Sequence, residues 1–298
     1  MTSRSFPRAL AVLCALLLSM VAGPVLAGAQ DLPPAPAWEP SAEVPVQPGG
    51  SGEMSVDTPE GPRAFIIHVP TGYDRTMPTP VLFGFSGKDD SPENFRSYSQ
   101  LLRTAGREAI VIYPRAIDGA WEGAPYATVR PGADVDFVRT IVEKIRFSYH
   151  LDPSRIYATG MSNGGGMAAL LGCRATDLLA GVAPVSGAFY LPVESGCTGA
   201  PVPALFVHGT EDPLMSYDGG ALHDAPYLSV PDTVGSYSAR NGCWGPAVVT
   251  PAPGATRIAG ANCVKEVQEL RIDGGLHSWW YEPDTSAEVW GFLARQHR

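Results

Sequence analysis

An apolar segment, Ile156-Tyr157-Ala158-Thr159, runs straight into Gly160-Met161-Ser162-Asn163-Gly164 and two further glycines before the helix-forming run Met167-Ala168-Ala169-Leu170-Leu171. Few folds are open to a chain that leaves a strand and enters a helix this abruptly. The G-x-S-x-G spacing serves a sharp strand-to-helix turn that lifts a serine hydroxyl above the end of a sheet. Glycine on both sides permits the strained turn, because a Cβ at either place would collide with a neighbouring strand or helix. In a chain with 33 glycines among 298 residues the spacing alone carries little weight, so its surroundings decide.

Those surroundings alternate between short apolar runs and amphipathic stretches. Residues 63–69, 80–85, 109–113, 155–159, 181–185, 202–208 and 264–272 read as strands, and the middle ones are continuous apolar runs suited to burial on both faces. Between them the clearest helix spans 135–149, where Val135, Phe137, Val138, Ile141, Val142 and Ile145 form one stripe. Strand-helix alternation predicts an α/β domain, a mostly parallel central sheet flanked by helices, over residues 54–298. Ligands in such sheets bind at the carboxyl ends of the strands.

Ahead of that domain, Arg4 and Arg8 precede a mostly apolar run, then Gly23-Pro24 and the small residues Ala27 and Ala29. This is the layout of a secretory signal peptide, residues 1–29, cut near Ala27 or Ala29, and it predicts a secreted, extracellular protein. Residues 30–53, dense in proline, glycine and serine, read as an extended tether. The formal charge of −9 becomes more negative once the two arginines leave, and only three lysines are present. An acidic surface of this kind excludes nucleic acid and an anionic membrane as partners. The exported chain keeps Cys173, Cys197, Cys243 and Cys263, an even number that predicts two disulfides. Four cysteines allow three pairings, and short loop closure favours Cys173 with Cys197 and Cys243 with Cys263. A zinc site is the alternative, but no C-x-x-C is present to build one.

A serine hydroxyl is a poor nucleophile at neutral pH and needs an adjacent base, itself oriented by a carboxylate. In this type of sheet the partners follow in the order Ser, Asp or Glu, His. Asp212 lies in "HGTEDP", directly beyond one candidate strand, and His277 lies in "DGGLHSWW", beyond the last. Glu211 and Asp218 compete with Asp212 for the acid role. Of the other histidines, His68 falls within a strand, His150 ends a helix, His223 lies in a polar loop and His297 at the terminus. His208 precedes the acid in chain order and is expected to brace its loop. The oxyanion needs two backbone N–H donors: one from Asn163 at the helix N-terminus, the other from Gly87-Lys88 in "FGFSGKDD", with the Lys88 N–H as donor. This chemistry calls for no metal or organic cofactor.

The run "DPSRIYATGMSNGGGMAALLGC", the segments "APVSG", "HGTEDP" and "NGC", and the late "GGLHSWW" resemble the secreted feruloyl esterase and poly(3-hydroxybutyrate) depolymerase family. The resemblance runs from about Arg63 to the end and implies the α/β-hydrolase fold, with Ser162, Asp212 and His277 as nucleophile, acid and base. Two departures stand out: Phe85-Ser86-Gly87 replaces the family's usual Leu-His-Gly, and Trp279-Trp280 replaces its usual Trp-Pro. The implied function is a serine esterase acting on feruloyl esters of plant polysaccharide such as xylan. Trp121, Trp279 and Trp280 are then candidates to stack on a cinnamoyl ring or a sugar. The alternatives are a hydroxyalkanoate oligomer depolymerase, an acetyl xylan esterase, an acyltransferase, and a non-catalytic binding protein on the same scaffold.

Overall fold

The computed structural model describes residues 44–298 except Thr198, together with Met1; the expected signal peptide and most of the expected tether lie outside them. In chain order the strands are β1 (Ser51–Thr58), β2 (Gly61–His68), β3 (Thr79–Phe85), β4 (Ile110–Pro114), β5 (Leu151–Met161), β6 (Gly181–Val185) and β7 (Ala204–Gly209). They continue with β8 (Gly220–Leu222), β9 (Ala225–Tyr227), β10 (Val248–Ala252), β11 (Ala255–Ala259) and β12 (Val267–Ile272). The helices are α1 (Pro92–Ser99), α2 (Ala133–Ile145), α3 (Asn163–Arg174), α4 (Val230–Arg240) and α5 (Thr285–Leu293).

Ten strands form one sheet in the order β1-β2-β4-β3-β5-β6-β7-β12-β11-β10, and β8 with β9 makes a separate hairpin. The six from β4 to β12 are parallel, flanked on each side by an antiparallel hairpin. Side chains alternate across the parallel strands as the pleat requires. Val81, Phe83 and Phe85 face the layer built with α2, α3 and α4, while Leu82 faces the layer containing Phe95 of α1 and Trp290 and Leu293 of α5. Both faces are therefore covered, which is why these strands read as unbroken apolar runs.

Three expectations need correction. The domain begins before residue 54: Val46 is buried, its N–H donates to the Tyr149 hydroxyl at 2.9 Å, and β1 starts at Ser51. Its alternating exposure and Gly-Ser composition make β1 look like tether, but the full β1–β2 ladder from Ser51↔His68 to Thr58↔Gly61 fixes it. The β10–β11 hairpin also escapes the apolar pattern, because every residue of β10 is exposed. Finally, α2 starts earlier and ends sooner than 135–149: the Glu122 carboxylate accepts the Gly132 and Val135 N–H groups and so caps its first turn. The cysteines pair as Cys173–Cys197 and Cys243–Cys263, so all four serve as cross-links and none is left for zinc.

Candidate active site

At the carboxyl end of β5 the chain turns through Ser162, whose φ of 56° and ψ of −120° fall where a non-glycine residue is strained. Surrounding hydrogen bonds hold it there. The Ser162 N–H donates to Val185 O at 3.0 Å, and its carbonyl accepts from Gly166 at 3.0 Å and Ala188 at 2.9 Å. The flanking glycines are required by space. A Cβ on Gly160 would stand 2.7 Å from Phe85 O, and one on Gly164 would stand 2.5 Å from Ser86 O and closer still to Phe85 O.

The loops after β7 and β12 pack on each other through Thr210 N–H to Ile272 O at 3.0 Å and Glu211 N–H to Gly275 O at 2.9 Å. This brings His277 Nδ1 to 2.7 Å from Asp212 Oδ2. Asp212 Oδ1 accepts the Leu214 and Met215 N–H groups at 2.9 and 2.8 Å, and His208 Nε2 lies 3.2 Å from Oδ2. Burial opposes ionisation of Asp212, but hydrogen bonds from His208 and His277, the His277 charge and the Met215 amide outweigh it and hold the carboxyl well below the usual carboxylate range. Glu211 and Asp218, the rival acids, are exposed, and His277 bonds to neither.

Ser162 and His277 line a cleft of about 460 Å³ together with Gly87, Lys88, Asp90, Tyr98, Tyr126, Met161, Leu214, Met215, Leu222 and His223. A Cβ on Gly87 would sit 3.5 Å from Ser162 Cβ, so the loop after β3 lies against the Ser162 side chain. The Asn163 side chain faces inward, accepting the Trp121 N–H at 2.8 Å, while its own backbone N–H belongs to the first turn of α3, where amides lack intrahelical acceptors. The Lys88 ammonium pairs with Asp89 and lies 5.3 Å from the Tyr126 ring centre.

None of the three expected tryptophans lines this cleft. Trp121 is fully buried, its indole N–H donating to Ser86 O at 2.9 Å and its ring edge-on to Phe85. It supports the loop from below. Trp279 is buried against Phe95 with its N–H on Ser286 Oγ at 3.0 Å, and Trp280 is half-buried against the same core layer. The cleft's aromatic lining is Tyr98 and Tyr126 instead. Sequence reasoning missed both; their one signal is that each follows a strand end, β3 or β4, on the ligand side of the sheet. A larger cavity of about 670 Å³ is lined by Glu122, Arg174, Tyr190 and four prolines. Glu122 there is committed to the α2 amides, Arg174 to the Pro192 and Ser195 carbonyls and the Ser195 hydroxyl to Pro192 O, and no histidine is among its lining residues.

A family profile described as "Esterase PHB depolymerase" matches residues 117–222, a span that includes Ser162 and Asp212. A protein of Nocardia uniformis subsp. tsuyamanensis named "Putative esterase NocK" is 28% identical, with 88% of each chain covered. Feruloyl esterase C of Emericella nidulans is 27% identical over 72% of this chain and 76% of its own. Among solved structures, acetyl xylan esterase from Aspergillus awamori superposes with a TM-score of 0.61 at 17% identity, covering 81% of this chain and 99% of that one.

Proposed function

Because this chain belongs to the feruloyl esterase and poly(3-hydroxybutyrate) depolymerase family of α/β-hydrolases, we propose that it is a secreted serine esterase that cleaves feruloyl-type esters from plant polysaccharide. That it is a carboxylic ester hydrolase rests on these relatives. The observation that carries the mechanism is the 2.7 Å contact between His277 Nδ1 and Asp212 Oδ2, with His277 lining the same cleft as Ser162 on its strained turn.

In this reading His277 Nε2 takes the Ser162 proton as Oγ attacks the ester carbonyl, and Asp212 stabilises the imidazolium through Nδ1–H. The Asn163 N–H and an amide of the Gly87-Lys88 loop stabilise the tetrahedral oxyanion. Collapse expels the alcohol, which takes its proton from His277. Water then attacks the acyl-enzyme with His277 again as base, and the carboxylic acid leaves. Tyr98 and Tyr126 favour an aromatic acyl group, because both line the cleft that holds the nucleophile. Two disulfides fit an oxidising compartment, in keeping with a signal peptide over residues 1–29.

The family profile supports one second reading, hydrolysis of hydroxyalkanoate oligomers by the same residues. Initial rates on methyl ferulate, p-nitrophenyl acetate and a 3-hydroxybutyrate oligomer, for the protein and its Ser162→Ala variant, separate the two. Methyl ferulate is expected to be turned over fastest, and Ser162→Ala to lower every rate by a factor on the order of 10⁶. Oligomer preference with negligible ferulate turnover replaces the first reading with the second; a Ser162→Ala variant that keeps its activity overturns the mechanism.

A further inference from the structure

The carboxylate that holds His277 also holds a second imidazole. His208 lies near the end of β7 with its side chain buried, and its Nε2 lies 2.8 Å from Met215 O and 3.2 Å from Asp212 Oδ2. A carbonyl can only accept, so the ring proton is on Nε2 and is shared between Met215 and the acid. Nδ1 has no hydrogen-bond partner among the described residues. The polar side of the ring is thus spent on Asp212 and the carbonyl beside it.

We propose that His208 is a positioning residue for ester hydrolysis: it acts on His277 through Asp212, fixing the orientation of Oδ2 and drawing part of its negative charge away from His277. The proposal rests on the triad reading above. Bracing of the loop alone does not explain an imidazole here, for the loop is already tied by the Thr210 and Glu211 amides to the neighbouring turn and by the Leu214 and Met215 amides to Oδ1. The ring's other neighbours, Phe189 and Tyr217, are aromatic and would pack as well on a phenylalanine. The charged and titratable groups facing His208 are Asp212 and His277 from the two loops, Tyr217 from the segment after β7, and Glu269 and Arg271 from β12, with Arg271 directly opposite it in register. Glu269 is occupied by the Tyr217 hydroxyl at 2.5 Å, and Arg271 by Asp273 at 2.8 Å, so both have partners other than the His208 ring.

Loss of the Nε2–H leaves more charge on Oδ2 opposite His277, which favours the imidazolium and moves the acidic limb of the kcat/KM profile to higher pH. Glutamine at 208 puts an N–H where Nε2 was; asparagine reaches only the Nδ1 position. The test is the pH dependence of kcat/KM on p-nitrophenyl acetate for His208→Gln, His208→Asn and His208→Phe, with thermal melts alongside. The expected result is a limb moved up by about half a pH unit, with kcat lowered about tenfold and KM little changed, in Asn and Phe, and restored in Gln. Limbs that stay in place in all three variants, with losses that track stability, overturn the proposal, as does a Gln variant that behaves like Asn. If the Phe variant does not fold, the Gln and Asn pair decides. Ser162→Ala and His277→Ala run in the same assay tell the two failures apart: activity in these sinks the triad itself, whereas inactive controls with an unmoved limb sink the role of His208 alone.

Discussion

Replacing Gly164 with alanine adds one carbon in the tightest part of the site. That Cβ would stand 2.5 Å from Ser86 O and closer still to Phe85 O, whereas a carbon–oxygen contact needs about 3.3 Å, so roughly 0.8 Å or more of separation must be created. Neither obstacle can rotate away, since both are backbone: one ends β3, and the other opens the loop carrying Gly87 and Lys88. Either this loop lifts or the first turn of α3 sinks, and each movement pulls the two candidate oxyanion donors apart. Overpacking of this kind costs about 1–3 kcal/mol, offset by about 1 kcal/mol because alanine suits a helix better than glycine. The melting temperature should therefore fall by only a few degrees, at about 2–4 °C per kcal/mol for a domain of this size. A misplacement near 1 Å at the reacting groups costs about 10²-fold in rate. The expected Gly164→Ala enzyme is thus folded yet about a hundredfold slower in kcat on p-nitrophenyl acetate. Gly291→Ala is the control: a Cβ there meets nothing within 4 Å, in the last turn of α5, so it should gain up to about 1 kcal/mol with unchanged kcat. A Gly164→Ala variant with wild-type kcat would refute the reasoning.

Glu269 offers a pH-dependent test. Burial raises its carboxyl above the ordinary 4.5, against the Tyr217 hydrogen bond and the Arg271 charge. The folded protein therefore holds a proton that the unfolded chain has released, and stability falls as pH rises from 4.5 through the folded value. Glu269→Gln keeps an acceptor for Tyr217 and removes that penalty; its melting temperature should exceed the parent's at pH 7 and converge with it near pH 4, and a constant offset across this range in differential scanning fluorimetry counts against the assignment. The disulfides close loops with sequence separations of 24 and 20 residues, worth about 3 kcal/mol each. Paired Cys→Ser replacement of either bridge should lower the calorimetric melting temperature by roughly 6–12 °C, and a fall under 2 °C would show that the loops are pinned without it.

That Ser162, Asp212 and His277 each follow a strand end, β5, β7 and β12 in turn, could be read from the chain, because unbroken apolar runs mark those strands. The glycines at 160 and 164 advertise the turn for the same local reason, and the cysteine pairing follows from short loops. The parallel strands were legible too, since burial on both faces demands unbroken apolar runs. β1 and the β10–β11 hairpin were not: they lie at the sheet edges, with much of their surface exposed, and leave little apolar pattern. The tryptophans show the limit most plainly. An indole looks like a binding surface in a sequence, but whether it faces ligand or core depends on neighbours far along the chain, here Ser86 for Trp121 and Phe95 for Trp279. By itself, then, the sequence determined the parallel sheet and the strand ends at which the proposed nucleophile, acid and base stand, because these are properties of local spacing and apolar runs. The tertiary structure alone decided which aromatics line the cleft and that His208 shares the carboxylate of Asp212, because both depend on packing between segments brought together only by folding.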